Sequence, residues 1–207
     1  MRLIETEADL EEGCAYLAAR FPLWARVLPE IGALPLRRRS DGFEAICDAV
    51  VSQQISTHAA AAIAGRMAAL SLVTQDQIAA ASDEALREAG LSRPKQRYLR
   101  AIAASDLDWQ ALRTLPDDEV IAALTALPGI GRWTADIYLK FALGRADAFA
   151  AGDLALAEAA RVLYDLPARP GPKELTALAE PWRPWRSVAA RALWSYYHII
   201  KGREGVR

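Results

Sequence analysis

The stretch LPGIGRWTA at residues 127–135 places two glycines where two predicted helices meet. A plain turn between helices needs one left-handed residue, which a single glycine supplies. The pair Gly129 and Gly131 indicates a backbone that also exposes N–H groups to another molecule, and we expect a positive φ at Gly131. Unpaired N–H groups at a turn and at a helix start bind anions, so the stretch predicts a site for nucleic-acid phosphate. A plain turn that ends on a glycine is the alternative.

Asp153 is the second residue whose type and position could do chemistry, 22 residues beyond Gly131. It follows a flexible Ala-Ala-Gly and precedes an alanine-rich run that predicts a helix. A carboxylate at this place can stabilise positive charge that develops during a reaction, and a helix N-terminus favours its ionised form. Aspartate is also a good N-cap, so a purely structural role is the alternative.

The elements that must position these residues are helices. Alanine, leucine and arginine dominate and runs of β-branched residues are few, which predicts an all-α protein. Thr74 with Gln77 marks one helix start, and Gly90 and Gly144 mark two ends. The predicted helices cover 7–19, 43–54, 57–70, 75–80, 83–89, 94–104, 117–127, 132–143, 154–163, 172–179 and 184–199.

Composition narrows the class of protein. The 207 residues are 53% hydrophobic, which is typical of a folded chain, and no apolar run approaches the 18 residues that a membrane span needs. The acidic N-terminal stretch does not resemble a signal peptide. Cys14 and Cys47 are the two cysteines and form no CxxC pair, so we expect a reduced cytoplasmic protein without a zinc ribbon.

Charge alone argues against a nucleic-acid partner, because the net charge is −1. The distribution is uneven, however. Residues 181–207 hold six basic residues against Glu204, and four basic residues lie within 93–100 without an acid. The alternative is an ordinary solvated surface.

The hairpin and the aspartate belong to one longer pattern. LPGIGRWTADIYLKFALGRADAFAAGD, residues 127–153, resembles the hairpin-to-aspartate region of the helix-hairpin-helix DNA glycosylases. WRPWRSVAARALW at 182–194 is similar to the C-terminal helix of their 3-methyladenine DNA glycosylase II branch, and VSQQIS at 51–56 is similar to its DNA-facing segment. The resemblance extends over roughly residues 40–200.

This resemblance implies an all-α fold of two lobes with the active site in the cleft between them. One lobe would be 42–145 and contain the hairpin; the other would join 1–41 to 146–207 and carry the catalytic aspartate. The chain resembles a compact form without the N-terminal β-domain of some relatives.

The implied activity is that of a monofunctional glycosylase, which flips alkylated bases such as 3-methyladenine out of double-stranded DNA and hydrolyses their N-glycosidic bond. Asp153 would stabilise the positive charge that forms on the deoxyribose. Trp133 and Trp194 match aromatic pocket positions, and tryptophan faces attract cationic bases by about 0.5–2 kcal/mol. Core packing is the alternative for both tryptophans.

Some positions depart from the family pattern. Ile137 and Leu154 stand where a well-known branch carries pocket tyrosines, which implies a wider or less polar base pocket. Gln54 stands where some relatives carry an intercalating leucine, and its amide can bond the orphaned partner base. For Gln53 and Gln54 the alternative is the polar end of a helix.

The hairpin is expected to bind DNA and to be able to hold a monovalent cation. The residues that contact the phosphate backbone would be Gly129, Ile130, Gly131 and Arg132. The carbonyl oxygens of Thr125, Leu127 and Ile130 would hold Na⁺ or K⁺, as the family's hairpin often does. No cofactor is required for the implied hydrolysis.

Two absences in the sequence define the subclass further. Residues 48–207 hold no cysteine, which excludes the four-cysteine iron–sulphur cluster of some relatives. Bifunctional relatives place a lysine nucleophile directly after the hairpin, where this chain has Trp133. Lys140 follows two turns later, where we expect it to neutralise a phosphate or a helix end, so the implied enzyme has no β-lyase activity.

The competing class is a helix-hairpin-helix module that grips DNA without chemistry, and a helical protein-interaction domain is a more distant one. The first needs the hairpin and the basic tail but neither Asp153 nor an aromatic pocket. For the glycosylase we expect a monomer that works in the cytoplasm, at the bacterial nucleoid.

Overall fold

The regular structure is helical. The computed structural model describes residues 1–202, and the all-α prediction is confirmed there apart from one isolated bridge between Leu3 and Arg145. The helices are α1 Glu7–Arg20, α2 Pro22–Ile31, α3 Phe43–Ser52, α4 Thr57–Ala69, α5 Gln75–Ala80, α6 Asp83–Glu88, α7 Arg93–Ala103, α8 Asp117–Thr125, α9 Arg132–Ile137, α10 Leu154–Leu163, α11 Pro172–Ala179 and α12 Arg186–Ile200. Short 3₁₀ turns lie at Ala111–Arg113 and Glu180–Trp182, and a π-helical turn at Tyr138–Ala142. Within the described part of the chain, no helix has both the length and the apolarity to cross a membrane.

Helix α2 is the element that the sequence did not predict. Pro22 lies in its first turn, where a missing N–H costs no helical bond, but Pro29 lies inside it and argues against a helix. The helix forms because its apolar face is buried through Trp24 and Val27, and it packs on α1 and α12. Tertiary packing therefore outweighs the local cost of the proline.

The described residues divide into two compact units, which we term unit A (Met1–Arg38 and the described residues from Leu139 onward) and unit B (Arg39–Tyr138). The sequence placed the boundaries at 41/42 and 145/146. Residues 139–146 join unit A through backbone hydrogen bonds: Ile4 N–H donates to the Gly144 carbonyl over 2.7 Å, and Ser187 N–H donates to the Ala146 carbonyl over 2.9 Å.

The core of unit A is built around tryptophans. Trp24 meets Trp182 edge to face with ring centroids 5.3 Å apart, and Phe149 meets the same Trp182 at 5.9 Å. Trp185 is also buried, and a Cβ added at Gly13 would lie 2.8 Å from its ring. These three tryptophans are packing residues of the core.

Unit B is organised around α7, against which α3, α5 and α6 pack. Leu99 and Ile102 form the buried side of that helix. Trp109 lies against Phe43, and its indole N–H donates to Gln75 Oε1 over 2.9 Å. Helix α8 packs on α9, so the turn between them is anchored from both sides.

Candidate functional site

The turn of the hairpin lies between Thr125, the last residue of α8, and Arg132, the first residue of α9. Gly129 has a φ of +80°, in the left-handed region. A Cβ at this glycine would lie 2.5 Å from the ring of Tyr98 on α7. The fold itself therefore requires glycine at position 129.

Gly131 has a different geometry, and the expectation of a positive φ there is wrong. It is the N-cap of α9 with φ −93° and ψ 171°, an extended backbone that any residue adopts. A Cβ at this glycine would meet nothing within 4 Å. Neither a positive φ nor a neighbouring residue requires glycine here, and the N-cap is a position at which glycine is also accepted.

The start of α9 presents its side chains outward. Arg132 is 66% exposed, and its Nε donates to both carboxylate oxygens of the buried Asp136, at 3.0 and 3.2 Å. This ion pair fixes the stem of the arginine and leaves the end of the guanidinium at the surface. Trp133 is 46% exposed, whereas Ile130 packs inward.

The predicted DNA-facing segment after α3 contacts the hairpin directly. The side-chain amide of Gln53 donates to the Gly129 carbonyl over 3.0 Å. Lys95 Nζ donates to the carbonyls of Val51 and Gln53 over 2.7 and 2.8 Å, so it caps α3 and is not a free phosphate ligand. Burial lowers the pKa of Lys95. Gln54 is exposed and has a left-handed φ of +58°, a strained conformation for a residue other than glycine.

The carbonyl groups predicted to hold a cation lie at the end of α8 and in the turn. Thr125 is the last residue of α8, where carbonyls lack intrahelical partners and the helix dipole is negative. The Leu127 carbonyl accepts from Ile130 N–H over 3.2 Å and keeps a second lone pair. The donor set of oxygens therefore fits Na⁺ or K⁺.

Asp153 is the N-cap of α10. Its Oδ1 accepts hydrogen bonds from the N–H groups of Ala155 at 2.8 Å and Leu156 at 3.4 Å. Its own N–H donates to the Ala150 carbonyl over 3.0 Å, which closes the turn before the helix. The side chain is half-buried. A carboxylate held this way has a fixed position, so the capping role and a chemical role are compatible.

Trp194 does not present a bare indole. The guanidinium carbon of Arg37 lies over its ring, 4.1 Å from the centroid, and the His198 ring lies 3.9 Å away, centroid to centroid. The three residues share one cavity of about 360 Å³, whose lining is completed by Ile31, Ala33, Pro35, Ser195 and Ile199. The Arg37 guanidinium therefore already occupies a face of the Trp194 indole, the ring that was predicted to contact a cationic base.

Lys140 is buried, contrary to the expectation of a surface role at a phosphate or helix end. It is 4% exposed, and its Nζ lies 4.9 Å from the centroid of the Phe141 ring. Burial lowers the pKa of the Lys140 ammonium well below its usual range; Arg191 and Arg37 act in the same direction, whereas the negative charge of Asp153 opposes them. Lys140 is thus electrostatically linked to the predicted catalytic carboxylate.

Arg191 is another buried cation of unit A. Its NH1 donates to Ser187 Oγ over 2.6 Å, and its NH2 donates to the carbonyls of Leu36 and Lys140 over 3.3 and 3.4 Å. Burial, with the nearby Arg38 and Arg37, lowers the pKa of Arg191 to about 10. Sequence reasoning did not single it out, although one arginine inside the apolar run SVAARALW is a recognisable signal.

The remaining predicted pocket residues belong to different units. Leu154, 69% exposed, follows Asp153 in unit A. Ile137, which is half-buried, and the exposed Trp133 lie in unit B. Sequence reasoning also missed Arg37, which lies in the run LRRRS at 36–40.

Three basic residues of the C-terminal stretch are paired with carboxylates. Arg183 and Arg186 both pair with Asp147 and Glu180, and Lys201 lies 3.9 Å from Glu158. Arg203 and Arg207 of the predicted basic tail lie outside the described residues.

The described residues contain no cluster of His, Cys, Asp or Glu side chains that could hold a metal. Burial raises the pKa of the Cys47 thiol to about 12 and that of Cys14 to about 11, so neither is a reactive thiolate.

The chain is similar to known proteins over most of its length, including the hairpin and Asp153. A DNA-3-methyladenine glycosidase structure from Bacillus halodurans is 31% identical with a TM-score of 0.82, over 98% of this chain and 95% of that one. The Schizosaccharomyces pombe 3-methyladenine DNA glycosylase Mag1, solved in complex with abasic DNA, is 30% identical with a TM-score of 0.76, over 88% of this chain and 95% of that one.

A longer relative is the probable bifunctional transcriptional activator/DNA repair enzyme AlkA of Mycobacterium tuberculosis, which is 35% identical over 94% of this chain. This chain spans 41% of the length of that relative. Residues 47–184, which include the hairpin and Asp153, match the HhH-GPD superfamily. The chain belongs to the HhH-GPD superfamily of base excision DNA repair proteins.

Proposed function

We propose that the protein is a monofunctional DNA glycosylase that excises alkylated bases, 3-methyladenine among them, from double-stranded DNA in base excision repair. The observation that carries the proposal is the position of Asp153, a carboxylate fixed by two backbone N–H groups at the start of α10. Two relatives that match almost the whole chain bear the names of 3-methyladenine DNA glycosylases or glycosidases.

The reaction needs a negative charge more than it needs an acid. Cleavage of the N-glycosidic bond leaves positive charge on the deoxyribose, and the ionised Asp153 carboxylate stabilises that charge and orients the attacking water. An alkylated purine such as 3-methyladenine is cationic and already a good leaving group, so it departs without protonation. Hydrolysis leaves a free base and an abasic sugar in an intact strand.

The residues of unit B bind and open the duplex. Gly131 leaves room for a DNA phosphate at the start of α9, and Arg132 adds a positive charge beside it. Gln54 fills the gap from which the base has been flipped, because its exposed side chain projects from a strained backbone next to the hairpin. Trp133 supplies an exposed aromatic face for the flipped base.

Further proposals concern the state in which the protein works. It acts as a monomer on DNA in the cytoplasm, at the nucleoid, and needs no cofactor for the hydrolysis. The carbonyl oxygens of Thr125, Leu127 and Ile130 hold Na⁺ or K⁺, which would screen the negative end of α8 as a phosphate approaches.

The test is base release from DNA treated with a methylating agent. The protein should liberate 3-methyladenine, identified by chromatography, and leave abasic sites in unbroken strands. The Asp153→Asn protein, purified in the same way, is the control for contaminating enzymes. DNA binding without release of any base would favour the non-catalytic module instead.

The absence of lyase activity has its own test. The position after the hairpin holds Trp133, which cannot form a Schiff base, and the Lys140 amine is buried. Borohydride added during turnover should therefore trap no covalent protein–DNA complex. A trapped complex that disappears in Lys140→Gln would place the protein in the bifunctional class.

A further inference from the structure

Arg37 and Trp194 form a cation–π pair inside unit A, with the guanidinium carbon 4.1 Å from the indole centroid. Arg37 is half-buried and has a φ of +49°. This left-handed backbone conformation is common for glycine and asparagine and unfavourable for arginine. The pair lies beside the cavity that Ser195 and His198 help to line.

The surroundings of this pair are positively charged. Arg37 acts on the ionisation of both Lys140 and Arg191, so the three cations lie within electrostatic reach of one another. The negative charge of the Asp153 carboxylate has the opposite effect and raises the pKa of Lys140. A further positive group that enters this region is therefore repelled by more than one of these cations.

We propose that Arg37 is a specificity-determining residue, which disfavours cationic alkylated bases relative to neutral ones by occupying the indole of Trp194. This inference deepens the proposed function and rests on it, and it also takes the base-pocket role that the family resemblance implies for Trp194. The substrate class remains alkylated purines, and cationic ones are excised less well, relative to neutral ones, than an open indole would permit.

Arg37 and a cationic base compete for one aromatic face. The attraction between a tryptophan face and a cation comes from the ring quadrupole, and a guanidinium on that face already uses it. If Arg37 stays in place, a cationic base meets a like charge, whereas a neutral base can stack on the planar guanidinium. If Arg37 is displaced, the cationic base gains only what the arginine loses. A neutral base depends less on the quadrupole in either case.

The experiment compares two lesions in the same duplex sequence, 7-methylguanine as the cationic base and hypoxanthine as the neutral one. Single-turnover excision rates are measured for each, after correction for spontaneous loss of 7-methylguanine, and their ratio is the readout. In Arg37→Gln, which is planar but uncharged, the ratio of cationic to neutral excision should rise by about 2- to 30-fold, the range that a cation–π contact is worth. In Arg37→Lys, which keeps the charge, the ratio should stay within about twofold of wild type.

Two further variants keep the outcome interpretable. Arg26→Gln removes an exposed arginine of the same unit and should leave the ratio unchanged. Arg37→Gly suits the left-handed backbone, so it serves if the glutamine variant does not fold, and the same rise is expected.

An unchanged or lower ratio in the folded uncharged variant overturns the inference, and so does an equal rise in Arg37→Lys, which would make shape the selector. If the wild-type protein releases neither base, the proposed function fails and this inference fails with it. Release of both bases with no effect of Arg37 refutes the inference alone.

Discussion

The side-chain amide of Gln53 donates a hydrogen bond to the Gly129 carbonyl, 3.0 Å away, and so joins the segment after α3 to the hairpin. Lys95 holds the same segment through a hydrogen bond to the Gln53 carbonyl. Within unit B, the proposed phosphate site and the proposed gap-filling Gln54 are therefore parts of one fixed assembly. If a duplex binds at the hairpin as proposed, this assembly would present it to Gln54 in a defined register.

The two hairpin glycines should respond differently to substitution. Gly129→Ala should destabilise the fold by about 1–2 kcal/mol from the left-handed backbone alone, and the clash with Tyr98 adds to this cost. Gly131→Val should cost about 1 kcal/mol or less, as the change of an N-cap residue does. It should nevertheless weaken binding to duplexes of unrelated sequence equally, by about tenfold, because the side chain blocks phosphate approach.

Urea unfolding and fluorescence anisotropy on two unrelated duplexes separate these effects. Unchanged DNA affinity in Gly131→Val would remove the phosphate site from the hairpin. A loss confined to one duplex sequence would contradict it as well, since phosphate contacts carry no sequence information.

Asp153→Asn should reduce base release by about 100-fold or more while the affinity for abasic-site DNA stays within a few-fold of wild type. The reason is that the negative charge is needed in the transition state and not in the product-like complex. Asparagine is an equally good N-cap, so the helix α10 and the melting temperature should be preserved. Release at the wild-type rate would reduce Asp153 to a helix cap.

The sequence predicted the helices well where local signals agreed. The alanine-rich run after Asp153 and the capping pair Thr74 and Gln77 lie at helix starts in the structure. Helix α2 was missed because Pro29 contradicts its pattern, and it forms because Trp24 and Val27 are buried and the helix packs on α1 and α12. Such burial depends on residues distant in sequence, which a local pattern does not contain.

The candidate site shows the same division. The spacing of the glycines and Asp153 is visible in the sequence. The sequence does not show which glycine is left-handed, nor that the ring of Tyr98, about 30 residues earlier, packs against it. Arg37 and Trp194 are in contact although they are far apart in sequence, and the run LRRRS contains no local pattern that predicts this contact. Lys140 was expected at the surface because lysine is usually exposed, and the tertiary packing that buries it is not visible in the local sequence.

Replacement of the buried Lys140 should stabilise the protein. Its ammonium is removed from water and makes no ion pair within residues 1–202, so burial lowers its pKa. A lysine whose folded pKa is depressed destabilises the fold fully below that pKa, and the penalty disappears as the pH rises towards the unfolded value of about 10.4. Lys140→Met should therefore raise the melting temperature at pH 7, by about 2–4 °C for each kcal/mol gained.

The measurement is chemical unfolding of wild type and variant at pH 7 and at pH 9.5, with the advantage of the variant smaller at the higher pH. Lys173→Met, at an exposed position of α11, should change little at either pH. Lys95→Met should instead destabilise, because it removes the cap on the carbonyls of Val51 and Gln53. A destabilised Lys140→Met with no pH dependence would show that the ammonium is well accommodated.

Gln54 offers a test of base flipping that is separable from chemistry. Its φ of +58° suits glycine, so Gln54→Gly relieves backbone strain and offsets the greater flexibility of glycine in the unfolded chain. Stability should therefore stay near wild type. Excision of a lesion from duplex DNA should fall by about tenfold, because nothing fills the gap left by the flipped base, whereas a single-stranded substrate needs no flipping and should react at the wild-type rate.

Ser71→Gly is the matched control for this prediction, since Ser71 is exposed in the same unit and also has a left-handed φ, +54°. It should leave both excision rates unchanged, and the two variants should have similar unfolding midpoints. Equal losses of Gln54→Gly on duplex and single-stranded substrates would mean that the residue affects the chemical step or general affinity. Unchanged excision from the duplex would leave Gln54 as the polar end of α3, and the gap-filling role would then have to come from another residue near the hairpin.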